Sequence, residues 1–291
     1  MPDWVGETSP GELLASIQRG DSEWRDAARW LKHRSLDLLK LPMLPLPKAL
    51  PTLIHPQIHA EYAEWRDREQ RRASDEAARV EPRRAAQYGI RHHAWLCINP
   101  KEAEDPGFAR EVMQLIPQFL QRPNVLGIGE IGLNKNSRNE LKVLEWHIDL
   151  AARTDSLILV HTPHLEDKLK GTRLILDALK SDKRIKPERC IIDHVEEHTV
   201  ELVLDAGFWA GMTLYPESKC SPARAIDMLD CYGRERIWMN SACDWGVSIP
   251  LNVPRTALEM RKRGWTADAV DKVIYQNPIA FMSQCPKFKL P

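Results

Sequence analysis

The sequence lacks an excess of charge of either sign. Its 291 residues include 41 basic and 41 acidic side chains, so the formal net charge is zero. Binding of long nucleic acid normally depends on several contacts between Lys or Arg and phosphates, and attraction to an anionic membrane depends on a basic surface. We therefore expect no membrane partner and do not favour long nucleic acid as a partner, so any preference for phosphate must be local.

Paired cysteines and long apolar runs are also missing. The six cysteines show no CxxC spacing, and four of them lie within or beside apolar segments, which is typical of buried thiols in a reducing compartment. No apolar run approaches the ~18 residues that suggest a membrane-spanning helix, and no basic region followed by an apolar one opens the chain. These features predict a cytoplasmic location.

What the sequence does contain is an alternation of short apolar runs with longer amphipathic ones from Ala94 onward, at a spacing of about thirty residues, which is the rhythm of βα units. Continuous apolar strands separated by helices imply a parallel sheet covered on both faces, and therefore an α/β fold. The predicted strands are 94–98, 125–131, 157–161, 190–194, 209–214 and 237–244. The predicted helices are 108–120, 139–152, 173–180, 200–206, 222–232, 253–263 and 267–283.

Several of these helices carry recognisable ends. Ser137 and Thr266 are predicted N-caps, because a side-chain oxygen at that position can accept a hydrogen bond from the first turn. Gly207, Gly233 and Gly264 stand where a left-handed residue would end a helix.

Residues 1–88 differ in kind from the rest of the chain. One or two amphipathic helices are predicted within 10–40. A proline-rich stretch over 41–51 opposes helix and central strand, and a highly charged segment over 60–86 favours an exposed helix. A closed (β/α) barrel needs eight strands, two more than the six predicted. We predict an atypical helical and proline-rich segment at 1–88 and a TIM-like (β/α) barrel at 89–291, incomplete in its first two strands unless the N-terminal segment supplies them.

Four residues with metal-binding side chains share one kind of position. Glu130, His161, His194 and Asp244 each close an apolar strand just before the chain turns toward a helix. The carboxyl ends of barrel strands open on the same face, where active sites of this fold are built. A single such residue is more often an N-cap or a loop residue, but two imidazoles and two carboxylates at equivalent positions favour a site for a divalent metal, with Zn²⁺ or Mn²⁺ suited to the donors.

The run Gly129-Glu-Ile-Gly-Leu133, followed in order by His161, His194 and Asp244, resembles the TatD family of metal-dependent hydrolases in the amidohydrolase superfamily. The resemblance implies a TIM-like barrel with one or two metal ions. It implies that Glu130 bridges the metals, that His161 and His194 are metal ligands, and that Asp244 is a ligand or the general base for the attacking water. Members of this family hydrolyse phosphodiesters, chiefly as metal-dependent deoxyribonucleases.

The departure from the family pattern lies in the first strand, which in the family carries a His-x-His pair. The nearest counterpart here is Gln57-x-His59, which makes His59 a candidate ligand; the alternative is a loop broken by prolines. Glu130, His161 and His194 still offer three protein ligands with room for a water, which is enough for one catalytic zinc. A second metal would depend on the altered pair.

Candidate substrate contacts surround this quartet. Lys168, Lys170 and Arg173, near Gly171-Thr172, could receive a substrate phosphate at a helix N-terminus, or form a solvated charged loop. His164 follows His161 closely, and Tyr215, Lys219 and Trp245 end strands on the same face, so each could line the mouth of the site.

These features predict a metal-dependent hydrolase that uses a metal-activated water on a phosphoester or a related small ester, lactone or amide. The expected partner is a small-molecule substrate that could be phosphorylated. The alternative is a catalytically impaired TatD-like barrel that binds a ligand or partner. The sequence carries no signal for an oligomeric state.

Overall fold

The computed structural model describes residues 81–163, 167–215, 219–242 and 249–289. These residues belong to one compact unit of the chain, Ala73–Pro291. Four predicted site residues, His59, His164, Asp244 and Trp245, lie outside the described residues, as does most of the predicted N-terminal segment, so the domain boundary at residue 88 stays a prediction. Within the described part, no helix combines the length and apolar character that crossing a membrane requires.

Six strands form one sheet, in which neighbours along the chain are neighbours in space and every pair is parallel. All six predicted strands are present. They are β1 (Ala94–Leu96), β2 (Val125–Gly132), β3 (Leu157–His161), β4 (Cys190–Asp193), β5 (Trp209–Thr213) and β6 (Ile237–Asn240).

Within the described residues, one helix precedes β1, a helix connects each pair of consecutive strands as the predicted βα rhythm requires, and three helices follow β6. The helices are α1 (Glu81–Ala86), α2 (Pro106–Phe119), α3 (Arg138–Thr154), α4 (Lys168–Ser181), α5 (Val200–Asp205), α6 (Pro222–Tyr232), α7 (Asn252–Lys262), α8 (Ala267–Asp271) and α9 (Asn277–Met282). Short 3₁₀ turns occur at Pro100–Glu102 and Pro187–Arg189, and a π-helical turn at Lys272–Gln276 joins α8 to α9.

The predicted N-caps and C-terminal glycines are confirmed. Ser137 caps α3 in a capping box with Glu140, and Thr266 accepts a hydrogen bond from Ala269 N at the start of α8. The three predicted C-terminal glycines all have positive φ, a conformation that costs glycine little because it has no Cβ. Their φ values are 89° for Gly207, 84° for Gly233 and 88° for Gly264.

Two predicted helices need correction. The helix predicted over 173–180 begins five residues earlier, at Lys168, with Asp167 as its N-cap. Gly171 lies inside this helix, where a Cβ would stand 2.3 Å from Asn136 Oδ1 and 2.4 Å from Pro163 Cγ, so glycine allows this close packing. The helix predicted over 267–283 is interrupted by the π-helical turn, since Pro278 has no N–H to continue the regular hydrogen-bond ladder.

The strands alternate between two faces, as a pleated strand must. On β3 to β6, one set of residues packs in the main core beneath the helices; these include Ile158, Val160, Ile192, Met212 and Met239. The other set faces away from that core. At the carboxyl ends of the strands this second face carries polar side chains, and at the amino ends it carries large apolar ones, which are aromatic on β5 and β6. The sheet therefore has a polar end, formed by the carboxyl ends of the strands, and an apolar packing end, formed by their amino ends.

The packing end centres on Phe281 of α9, which is fully buried. Its ring lies 6.3 Å from Trp95, 5.6 Å from Trp209 and 5.5 Å from Trp238, measured between ring centroids. Lys287 Nζ donates a hydrogen bond to Val125 O, at the first residue of β2. The C-terminal segment thus closes the end of the sheet opposite the polar side chains.

Candidate metal centre

Glycines in β2 place the Glu130 side chain at the carboxyl end of the sheet. A Cβ on Gly129 would lie 2.6 Å from Cβ of Leu159, and a Cβ on Gly132, whose φ is 144°, would lie 2.0 Å from His161 O. Only glycine lets β2 approach β3 so closely at these two positions. The Glu130 side chain remains 29% exposed, which leaves its carboxylate accessible.

The two histidines follow from the register of the next strands. His161 is the last residue of β3, where it pairs with Gly132 of β2 on one side and with Asp193 of β4 on the other. His194 comes directly after β4 and adopts a left-handed conformation with φ of 62°, which is uncommon for a residue other than glycine. Its backbone N–H donates to Asp193 Oδ1 at 2.8 Å, and this hydrogen bond stabilises the turn.

Glu130, His161 and His194 converge. Glu130 Oε1 lies 2.7 Å from His194 Nε2 and 3.5 Å from His161 Nδ1, and the two ring nitrogens are 2.9 Å apart. All three ligand atoms fall within 4.8 Å of one another. His161 and His194 are buried, whereas Glu130 opens toward solvent, so the cluster is closed on one side and accessible on the other.

The electrostatics of the cluster favour unprotonated ligands. Burial lowers the pKa of His161 to about 4, against the opposing effect of the Glu130 carboxylate, so this imidazole is neutral at pH 7. Burial works to raise the pKa of Glu130, but the neighbouring imidazoles of His161 and His194 outweigh it and hold that pKa well below its usual range. A carboxylate and a neutral imidazole are the forms that bind metal ions.

Two lysines reach His194 from different sides. Lys219 Nζ lies 2.9 Å from Nε2 and 3.1 Å from Nδ1 of the His194 ring. Lys168 Nζ donates to the backbone oxygen of His194 at 2.9 Å and pairs with Glu196 at 3.3 Å. Burial lowers the pKa of Lys168, and Glu196 opposes that effect.

The predicted substrate residues fall in different places. Lys168 is a buried residue in the first turn of α4, so the alternative of a solvated charged loop is wrong for it. Arg173 is exposed in the second turn of the same helix, and Tyr215 is half-buried just after β5. Whether any of them contacts a substrate stays a prediction, as do the roles of His59, His164, Asp244 and Trp245.

Sequence reasoning missed three residues beside His194. Thr213 Oγ1 lies 2.6 Å from His194 Nδ1, and the Thr213 hydroxyl donates to Asp193 Oδ1 at 3.0 Å. Asn240 Nδ2 donates to both oxygens of Asp193 at 3.1 Å. Asp193, Thr213 and Asn240 are the last residues of β4, β5 and β6. Their signal in the sequence was a polar residue ending each apolar strand, which looks the same as an ordinary strand end.

Comparisons with known proteins agree with this architecture. The family model described as TatD related DNase matches residues 73–226. An uncharacterized metal-dependent hydrolase of Methanocaldococcus jannaschii is 27% identical over 172 residues, which are 58% of this chain and 66% of that protein, just under two thirds of its length.

Solved structures match the fold. A crystal structure of a TatD-like protein from Archaeoglobus fulgidus aligns with a TM-score of 0.58 and 24% identity over 75% of this chain and 83% of that one. The phosphotriesterase homology protein from Escherichia coli aligns with a TM-score of 0.52 and 17% identity, over 67% of this chain and 75% of that one. At these identities the matches establish the fold, a TIM-like (β/α) barrel.

Proposed function

The chain belongs to the TatD-related DNase family, and from that premise we propose that it is a metal-dependent hydrolase in which Glu130, His161 and His194 hold a divalent cation. The observation that carries the proposal is the convergence of three ligand atoms within 4.8 Å at the carboxyl end of a parallel sheet. In (β/α) barrels this end is where catalytic residues gather.

The residues present suit a divalent cation. Two imidazole nitrogens and one carboxylate oxygen form the two-His, one-carboxylate set found in catalytic zinc sites, and manganese accepts the same donors. A second sign is the burial of the His161 ring, which lowers its pKa to about 4. A ring this dehydrated and neutral is better suited to ligation than to carrying charge. We propose one ion, Zn²⁺ or Mn²⁺, at this set.

A cation bound here would supply a water whose pKa is lowered toward ~7, and so a hydroxide nucleophile at neutral pH. The three ligands leave a position for that water. The exposed side of Glu130 gives substrate access, while the buried histidines exclude solvent from the other side. We further propose that Asp244, after β6, accepts the proton of the water or adds a ligand, and that His59 belongs to a second, altered metal site.

The substrate we propose carries an anionic group next to the scissile bond, as a phosphoester does. The ammonium of Lys219 lies 2.9 Å from His194 Nε2. A bound divalent cation and the Lys219 ammonium would both attract an anionic substrate oxygen, and a phosphoester oxygen could accept a charge-assisted hydrogen bond from Lys219. The zero net charge of the chain favours a small molecule over long DNA.

Hydrolysis assays on metal-loaded protein test this proposal. We expect turnover of phosphomonoesters or phosphodiesters with added Zn²⁺ or Mn²⁺, and a Lys219→Met variant should raise KM for them by about tenfold or more, because a hydrogen bond to a charged group contributes ~1.5–3 kcal/mol. An uncharged lactone or carboxylic ester offers no such anion, so its KM should stay the same. Lys262→Met, which removes a lysine on α7, is the control.

Two results would count against the proposal. Equal losses on charged and uncharged substrates would exclude an anion-binding role for Lys219. Tight binding of a ligand with no turnover of any ester, lactone or amide would support the alternative, a barrel that binds without catalysis.

A cytoplasmic location is also proposed. Cys97, Cys190, Cys220, Cys231 and Cys285 are free thiols, and three of them are buried. This usage suits a reducing compartment.

A further inference from the structure

We infer that Asp193, Thr213 and Asn240 form a relay that fixes the tautomer and ring orientation of His194, so that Nε2 is always the nitrogen presented to the metal. These are positioning residues. The effect of the relay on metal binding rests on the proposed function. The hydrogen bonds of the relay can be observed without a metal.

The proton count fixes the direction of the relay. The Thr213 hydroxyl has a single proton, which it donates to Asp193 Oδ1 at 3.0 Å. Its oxygen is then free to accept, and the atom facing it at 2.6 Å is His194 Nδ1. Nδ1, which also lies 3.5 Å from Asp193 Oδ2, then carries the proton of the neutral imidazole, and Nε2 carries the lone pair.

Asp193 is held as a rigid acceptor. It is a buried residue, and its Oδ1 also accepts the backbone N–H of His194 at 2.8 Å. Asn240 Nδ2 donates to both of its carboxylate oxygens at 3.1 Å. Gly211 makes room for this arrangement, because a Cβ there would lie 2.5 Å from Asp193 Oδ1. One carboxylate thus stabilises both the left-handed backbone of His194 and, through Thr213, its ring.

The consequence is a preorganised ligand. With Nδ1–H directed to Thr213, the lone pair of Nε2 faces Glu130 Oε1, 2.7 Å away, and two acceptors at this distance repel each other unless a cation lies between them. Without the relay, a proton could move to Nε2 and form a hydrogen bond with that carboxylate, which would compete with metal binding. Partners that orient a metal-binding histidine typically contribute about 10–100-fold to metal affinity.

The first test is nitrogen-15 NMR of the His194 ring in metal-free protein, at a pH about two units above the usual histidine pKa of ~6.5. We expect the proton on Nδ1 in the wild type and in Thr213→Ser, and a mixture or the Nε2–H tautomer in Thr213→Val. An Nε2–H tautomer in the wild type would overturn the inference, and this readout needs neither a variant nor a metal.

The second test is Zn²⁺ affinity by competition with a chelator. Thr213→Val should weaken binding by about 10–100-fold, and Thr213→Ser, which keeps the hydroxyl, should restore it. Thr256→Val is the matched control, because Thr256 is equally buried but donates only within α7, to Asn252 O. Wild-type affinity in Thr213→Val would contradict the inference. A wild type that shows the Nδ1–H tautomer but binds no metal would instead overturn the proposed function and leave the relay standing.

Discussion

A Glu130→Gln variant is expected to lose hydrolytic activity almost completely. The substitution preserves the shape of the side chain and changes only its charge and one acceptor oxygen. In the wild type, Oε1 stands 2.7 Å from His194 Nε2 and 3.5 Å from His161 Nδ1, where it completes the ligand set. An amide cannot replace the carboxylate, because it brings no negative charge and its NH₂ group can donate to the lone pair that should face the metal.

The expected loss of activity in Glu130→Gln can be estimated from the known cost of removing a residue that only supports a metal ligand. Removal of an outer partner of a metal ligand costs about 10–100-fold in affinity or activity, so removal of a direct ligand should cost at least ~100-fold in kcat/KM. Activity is measured with the best phosphoester found in the assays above, at saturating Zn²⁺ or Mn²⁺. Glu259→Gln, which removes an ordinary carboxylate on α7, should leave activity unchanged. An active Glu130→Gln enzyme would contradict the role proposed for this residue.

A Phe281→Ala variant should lose about 3–5 kcal/mol of the free energy of unfolding, the usual cost of truncating a buried phenylalanine. The side chain is fully buried, and its ring contacts three tryptophans from β1, β5 and β6. Truncation would leave a cavity lined by side chains of β1, at one edge of the sheet, and of β5 and β6, at the other. Because these strands are fixed in the sheet, local collapse cannot fill the cavity. Urea unfolding followed by tryptophan fluorescence measures the loss.

The control for this prediction is Tyr275→Ala on the π-helical turn. Tyr275 is 53% exposed, and surface substitutions away from special features usually change stability by less than about 0.5 kcal/mol. Because Phe281 lies at the packing end of the sheet, folded Phe281→Ala protein should bind metal as the wild type does. A loss below about 1 kcal/mol would mean that the aromatic cluster is less tightly packed than its ring distances indicate.

Sequence reasoning predicted what depends on local pattern. The six strands follow from apolar runs, and the ends of α3, α5, α6 and α8 follow from caps and glycines that act within one turn. Because parallel strands align their carboxyl ends, placing Glu130, His161 and His194 at strand ends was enough to predict that they meet.

What sequence reasoning missed depends on contacts between distant residues. The start of α4 was misplaced because the packing of Gly171 against Asn136 is tertiary. Thr213 and Asn240 matter only because the register of β4, β5 and β6 brings them to Asp193, and no local pattern distinguishes them from other polar strand ends. The π-helical turn likewise reflects Pro278 together with the hydrogen bonds from Asn277 to Arg234 O and Ile237 O.

The most direct test of the metal centre is anomalous diffraction from crystals of the full chain grown with Zn²⁺, recorded on both sides of the zinc absorption edge. We predict an anomalous peak within ~2.0–2.2 Å of Glu130 Oε1, His161 Nδ1 and His194 Nε2, the usual length of zinc bonds to oxygen and nitrogen. No peak between these three atoms, or a zinc ion bound only elsewhere on the chain, would contradict the account.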